Sequence, residues 1–404
     1  MRKKNLIYLG ASCALVLTGL LFTKCAKNAN TVNSAPTTIT RSPLGVSNKF
    51  VSAAGFTHPG ILNTQNSLAY AAQQVNNTSD PNNASRTTAY NFVLNFCNTW
   101  VSRNAYAANV ATEPGAVNQQ EIDFKGDALL AYATALRWAK TGDAQYATRC
   151  KQILDGWAST FRTLSVTSGS TNQVDLEAAW PAPTFAAAAE IIKYYQPATG
   201  AAGGWTTAEN TQFVAFLDRL KTYINNTTST GFNNNWYTSA GYALMAIGVF
   251  EDDRTTYNNG ETIIKNVIPL EMNSTGYMAG EVCINHQDYV HYQYALTGLA
   301  YAANIAGIQG DLTIYSATSS RTLAGFTWQA DLMQGIVTAA CTPSGNKTSP
   351  IWPGIFPANR HYNSAETNYI ANHYTTDANG LPGGDLGFLS WTQFTHFNVP
   401  TSVN

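Results

Sequence analysis

His286, Tyr289, His291, Tyr292, Tyr294 and Tyr301 crowd into the stretch "NHQDYVHYQYALTGLAY" at residues 285–301. Imidazoles and phenols move protons to and from reacting carbon and oxygen atoms once their surroundings tune them. An amphipathic helix needs neither in such density. If the stretch opens a helix, Gln287, His291, Tyr294 and Gly298 fall at i, i+4, i+7 and i+11, on one face. The spacing predicts that His291 and Tyr294 point together into a cleft, with His286 close by and Gln287 on the same face.

A second polar cluster is "GFNNNWYTSAGYALMAIG". Asn233, Asn234 and Asn235 stand immediately before an apolar helical run, where one Asn would serve as an N-cap. Three exceed what a cap needs. An amide at a helix N-terminus is also a partner for a carboxylate, and Trp236 with Tyr237 offers a surface for stacking a sugar ring. Asn234 and Asn235 are therefore candidate carboxylate binders as well as caps, and Trp236 a candidate sugar contact. Lys125 in "DFKGDALL" either binds an acidic substrate or sits at the start of a helix. Arg360 and His361 in "ANRHYNSAETNY" either line sugar subsites or belong to a solvated loop. His58, before Pro59, reads as a loop residue or part of a cleft rim. No GxSxG, HExxH, Walker loop or dinucleotide fingerprint is present. Asp123, Asp127, Glu177 and Glu281 are acidic, but no motif pairs them as a glycoside hydrolase would require. Glu281 reads as a structural hydrogen-bonding carboxylate.

These side chains need a scaffold, and the periodicity supplies one. In "GDALLAYATALRWAKTGDAQYATRCKQILDGWAST" two helices flank the turn Thr141-Gly142-Asp143. Leu129, Ala133, Leu136 and Ala139 share a face of the first; Tyr146, Cys150, Ile153, Leu154 and Trp157 share one of the second. "AAWPAPTFAAAAEIIKYY" is a further helix with Pro181 and Pro183 at its start. Alanine-rich helical pairs joined by short loops continue from about 65 to 340, without sustained strand alternation. The expected fold is all-α, an α/α toroid of helical hairpins. The last 60 residues, rich in Pro, Gly, Asn and Tyr, are expected to form long loops over one mouth of the barrel.

The chain of 404 residues has 45% hydrophobic and only 12% charged residues, with net charge −1. That balance offers no field to attract nucleic acid. "MRKKNLIYLGASCALVLTGLLFTKCAKN" has a basic start and an apolar stretch from Leu6 to Phe22, the pattern of an export signal over residues 1–25. Cys25 follows it, so plain secretion and a lipid anchor at Cys25 both stay open, with a periplasmic, outer-membrane-attached or secreted location. Residues 26–50 read as a polar tether and 51–404 as a single catalytic domain, expected to be a monomer. Cys97, Cys150, Cys283 and Cys341 match no zinc spacing. One or two disulfides or free thiols fit equally, and their connectivity is not legible.

Several blocks together resemble the alginate-lyase superfamily of polysaccharide lyases. They are "THPGILNTQ", "DALLAYATALRWAKTGDAQYATRCKQILDGWA", "LEAAWPAPTFAAAAEII", "NNNWYTSAGYALMAIGVF" and "GYMAGEVCINHQDYVHYQYAL", in that order over about residues 55–310. The resemblance implies that Tyr294 is catalytic. It aligns Asn235 with a position where that family has His after Asn-Asn, and Gln287 with its substrate-binding Arg. Those departures imply a divergent family that cuts alginate or glucuronan.

The chemistry so implied is β-elimination on a 4-linked anionic polysaccharide. A base takes the C5 proton and the C4–O bond breaks. Neutral or cationic donors must hold the carboxylate while charge develops; Asn235, His286 and His291 are the candidates. A free Tyr has a pKa of about 10, so an ionised Tyr294 would need positive charge or strong donors nearby, which the two His residues are expected to supply. In β-linked mannuronate or glucuronate the C5 proton and O4 lie on one side, so one Tyr could serve both. The chemistry calls for no metal or other cofactor. Two other readings remain: a glycoside hydrolase on the same toroid, and a noncatalytic glycan-binding lipoprotein.

Overall fold

The turn Thr141-Gly142-Asp143 sets the local pattern. Gly142 takes a φ of 68°, which glycine adopts without steric cost, and its amide closes the preceding helix on Trp138. Asp143 then caps the next helix by accepting from the Gln145 amide. A computed structural model describes residues 50–404 except 103, 104, 116, 117 and 349. The export signal and Cys25, and the tether expected over 26–50 but for its last residue, lie outside the described residues.

The first half of the described chain contains β1 (Phe50–Val51), β2 (Thr57–His58), α1 (Gln65–Gln74), α2 (Asn83–Thr99), β3 (Asn109–Thr112), α3 (Gln119–Thr141), α4 (Ala144–Thr160), β4 (Thr163–Val166), α5 (Gln173–Ala179) and α6 (Pro181–Tyr194). There follow α7 (Thr207–Asn226), α8 (Asn235–Glu251), α9 (Arg254–Glu271), a π-type turn at Gly280–Ile284, and α10 (Tyr289–Ile308). The chain continues through α11 (Thr313–Gln334), α12 (Ile355–Tyr362), α13 (Ala365–Asn372) and α14 (Thr392–His396). β1 pairs antiparallel with β2 and β3 parallel with β4. These strands are two to four residues long, too short to show alternation in the sequence.

Burial separates inner from outer helices. Fifteen of the seventeen residues of α8 and twelve of the fourteen of α6 are buried, against six of seventeen in α4. Helices buried all round read as uniformly apolar, which is why the alanine-rich segments stand out. The inner helices α1, α3, α6, α8, α10 and α12 contact one another in succession, and α14 bridges α12 back to α1. The ring is therefore closed, and the fold is the expected helical toroid. Glycine allows the closest approaches: a Cβ on Gly298 of α10 would lie 2.8 Å from the Thr238 hydroxyl of α8.

The C-terminal segment differs from the expected loops. Three short helices lie within it, and two of them complete the ring. His396 of α14 is buried and bonds to the Leu62 carbonyl at 2.9 Å, while Arg86 of α2 donates to the carbonyls of Phe397 and Asn398. Among the described residues no helix is long and apolar enough to cross a membrane.

Candidate active site

Asp288 is the N-cap of α10; its carboxylate accepts from the His291 amide at 2.9 Å and also meets His291 Nδ1 at 2.8 Å. One side chain thus caps the helix and fixes the ring. Burial alone would raise the Asp288 carboxyl, but these bonds from His291 outweigh it and hold the group below its ordinary value. His286, before the helix, has Nδ1 2.6 Å from Glu281 Oε2. The two imidazole rings are stacked, with centroids 3.7 Å apart and planes 2° from parallel. Both rings are partly exposed, and neither Nε2 has a protein partner among the described residues.

Glu281 belongs to the π-type turn and is buried. It accepts from the Asn235 backbone amide at 2.6 Å and from Asn235 Nδ2 at 3.1 Å. It therefore ties the start of α8 to His286. The reversal from this turn into α10 is held at two further points. Cys283 and Cys341 form a disulfide, and the Ser344 amide donates to the Gln287 carbonyl at 2.8 Å. Gln287 itself takes a φ of 59°, a left-handed conformation that costs a non-glycine residue about 1–2 kcal/mol. Cys97 and Cys150 are free thiols.

Tyr294 lies one and a half turns into α10 and is half-buried. Its hydroxyl donates to Asp385 Oδ2 at 2.6 Å. The ring meets Trp180, Trp352 and His291 edge to face and Phe388 at a tilt, with centroids 5.2–5.6 Å away. Trp180 is held by its indole N–H on Ser239 of α8, and the Trp352 amide donates to Gln293 of α10. Burial, then the charge of Asp385 and its hydrogen bond, then Asp288 and Glu177, raise the Tyr294 hydroxyl well above its ordinary pKa. Burial and these carboxylates act against the ionised Tyr294 that the neighbouring His residues were expected to favour.

Other expectations are corrected too. Gln287 is not on the helix face of His291 and Tyr294, because Asp288 caps α10 after it; Gln287 is exposed in the turn. Asn234 is the N-cap of α8, the capping role that its place before the helix suggested, and accepts from the Trp236 amide at 3.1 Å. Asn235 is fully buried with its donors committed to Glu281, so it cannot also hold a substrate carboxylate. Trp236 is buried against Phe232, which leaves no open face for a sugar. Lys125 is buried between Glu121 and Glu177, beneath the Trp180 ring at 4.5 Å, so it supports that indole and does not reach a ligand. Burial alone would lower the Lys125 pKa, and the two carboxylates outweigh it. Arg360 donates to the carbonyls of Val399 and Pro400. His361 stacks on Tyr315, which lies against Gly307, thirteen residues beyond Tyr294 along α10. At 1.5 Å per residue that is about 20 Å from Tyr294, so neither Arg360 nor His361 lines this site.

The acids considered for hydrolysis are also engaged. Asp127 accepts from the indoles of Trp100 and Trp157, Asp123 from Gln119, Glu177 from Gln173, and Glu281 from Asn235. His58 lies in β2, buried between Glu190 and Asp252. Asp385, Trp352 and Phe388 are site residues that periodicity did not identify. The one signal for Asp385 is "LPGGDLGF": Gly383 and Gly384 both have positive φ, and that turn presents the acid.

The alginate lyase family model matches residues 63–328, about two thirds of the chain. The chain belongs to the alginate lyase family. It is a polysaccharide lyase, as the sequence resemblance implied. Solved alginate lyases share its architecture. A substituted form of alginate lyase A1-III complexed with a tetrasaccharide is 16% identical, with a TM-score of 0.61 over 84% of this chain and 98% of that one. An alginate lyase from Bacteroides ovatus is 12% identical, with a TM-score of 0.60 over 80% and 97%. Alginate lyase A1-III from Sphingomonas species A1 is 18% identical, with a TM-score of 0.54 over 75% and 87%. At such identities the likeness to solved alginate lyases shows the toroid alone. No match is found among curated proteins.

Proposed function

We propose that this lyase cleaves a 4-linked uronic acid polymer, mannuronan-type alginate or glucuronan, by β-elimination. Tyr294 carries the C5 proton to O4, and His286 and His291 bind the uronate carboxylate. The support is one juxtaposition: a half-buried phenol whose ring centroid is 5.3 Å from that of His291, beside a stacked imidazole pair whose Nε2 atoms have no partner among the described residues. When both nitrogens of a ring carry hydrogen, Nδ1 bonds its own carboxylate and Nε2 can donate outward. Two such donors aimed at one carboxylate neutralise it and stabilise the enolate that forms as C5 loses its proton.

A single tyrosine near both atoms suits a substrate whose C5 proton and O4 are on one side, as in mannuronate and glucuronate. The test is absorbance from the unsaturated uronyl end, measured on mannuronan, guluronan, glucuronan and glycosaminoglycans. The proposal expects a rise on mannuronan or glucuronan. Reducing ends without absorbance would instead indicate hydrolysis, and neither product would indicate a binding protein.

A further inference from the structure

We infer that Asp385 is the proton partner of Tyr294, taking the phenol proton as the phenol oxygen takes the one from C5. This rests on the elimination proposed above. Among the described residues Asp385 is the one group hydrogen-bonded to the Tyr294 hydroxyl, at 2.6 Å. The other oxygen of Asp385 accepts the Gly387 amide, so the carboxylate is anchored in its turn with Oδ2 left for the phenol.

The need for a partner follows from the surroundings. Tyr294 holds its proton more firmly than a free tyrosine, so a waiting phenolate is not its resting form. Its oxygen can accept the C5 proton only if its own proton leaves in the same step. Of the charged and titratable groups around the pair, His291 comes from α10, Asp288 from its N-cap, His286 from the preceding turn, Glu177 from α5 and Lys125 from α3. His291 and His286 are bonded to their own carboxylates, and Glu177 to Lys125 and Gln173.

The steps balance. The C5–H bond breaks, that proton joins the Tyr294 oxygen, and the original phenol proton passes to the Asp385 carboxylate, leaving the carbanion electrons delocalised into the uronate carboxyl. The C4–O4 bond then breaks as the C4–C5 double bond forms. Tyr294 protonates O4, and Asp385 returns its proton to Tyr294. The net change is transfer of one proton from C5 to O4, with both residues restored. Asp385 acts only through the hydroxyl, as a positioning residue for its proton.

The test uses the full chain with mannuronan, or with glucuronan if that is the polymer the parent cleaves. Asp385→Asn keeps an oxygen that can accept from Tyr294 but cannot take its proton. Turnover should fall about 10²-fold or more, with KM within about twofold and melting little changed. The two imidazoles are common to parent and variant, so the ratio of variant to parent rate isolates Asp385. Above neutral pH that ratio should climb about tenfold per pH unit, because Tyr294 of the variant must lose its proton to solvent. Asp385→Glu should restore part of the rate and hold its ratio to the parent constant with pH. An Asp385→Asn protein within about fivefold of the parent rate, with the parent's pH profile, overturns the inference. If Tyr294→Phe is inert in that same series, the elimination by Tyr294 still stands. If Tyr294→Phe is active, the elimination proposal fails and this one with it.

Discussion

His286 and His291 lie face to face, ring centroids 3.7 Å apart, although each is held by a different carboxylate: Glu281 for the first and Asp288 for the second. Both rings are partly exposed, and neither Nε2 has a protein partner among the described residues. If both donate to one substrate carboxylate, they act as a unit. His286→Ala and His291→Ala should each lower kcat by about 10²–10³-fold, the usual cost of a lost oxyanion donor. The double variant should fall well short of the product of the two losses. Steady-state kinetics on the four proteins measures this, and fully multiplicative losses would assign the rings separate tasks.

Tyr294→Phe preserves the ring between Trp180, Trp352 and Phe388 and deletes only the hydroxyl. One hydrogen bond to Asp385 is lost, worth about 1–2 kcal/mol. Elimination should fall by about 10²–10⁴ while uronan oligomers still bind. Melting, oligosaccharide affinity and ultraviolet absorbance on one preparation separate these effects. A variant that eliminates at a tenth of the parent rate or better would make Tyr294 a core residue.

Asn235→Ala should act mainly on stability. It removes the Nδ2 donor from buried Glu281, which keeps the Asn235 backbone amide and His286. A buried acceptor that loses a partner costs about 1–3 kcal/mol. Denaturant melts should show that loss, and His286 should become less well fixed. A variant of parental stability with abolished turnover would return Asn235 to direct substrate binding.

Acid should loosen the ring through His396. Burial lowers this imidazole from 6.5 to about 3, so the folded form holds it neutral while the unfolded chain binds a proton below 6.5. The stability it contributes is complete above pH 6.5 and declines as pH falls toward 3, by at most about 1.4 kcal/mol per pH unit. Glu251, pushed up to about 7 by burial, acts oppositely: its contribution is present below 4.5 and lost as pH rises toward 7. Comparing the pH dependence of melting in the parent and His396→Gln isolates the first effect, and the variant should show the shallower acid decline.

Periodicity made the inner helices legible because α6, α8 and α10 are buried on almost every side and so read as small and apolar throughout. The same counting placed Gln287 on a helix it does not join. The cap at Asp288 three residues before His291 was the available clue. The spacing of Glu121 and Lys125 at i, i+4 is visible in the sequence and corresponds to one half of the buried ion pair that Lys125 forms. Asp385 was beyond such reasoning. It is 91 residues from Tyr294, and a contact across that distance leaves no period in the chain.

The seam of the toroid has a consequence for the order of synthesis. His396 closes on Leu62 across 334 residues, and Arg86 closes on Asn398 across 312. A growing chain can stack hairpin on hairpin as each emerges, but it cannot join the first inner helix to the last until α14 has been made. Until then the nascent lyase is an open arc whose two terminal helices expose apolar edges. Its slowest native contacts are the ones that convert that arc into a ring.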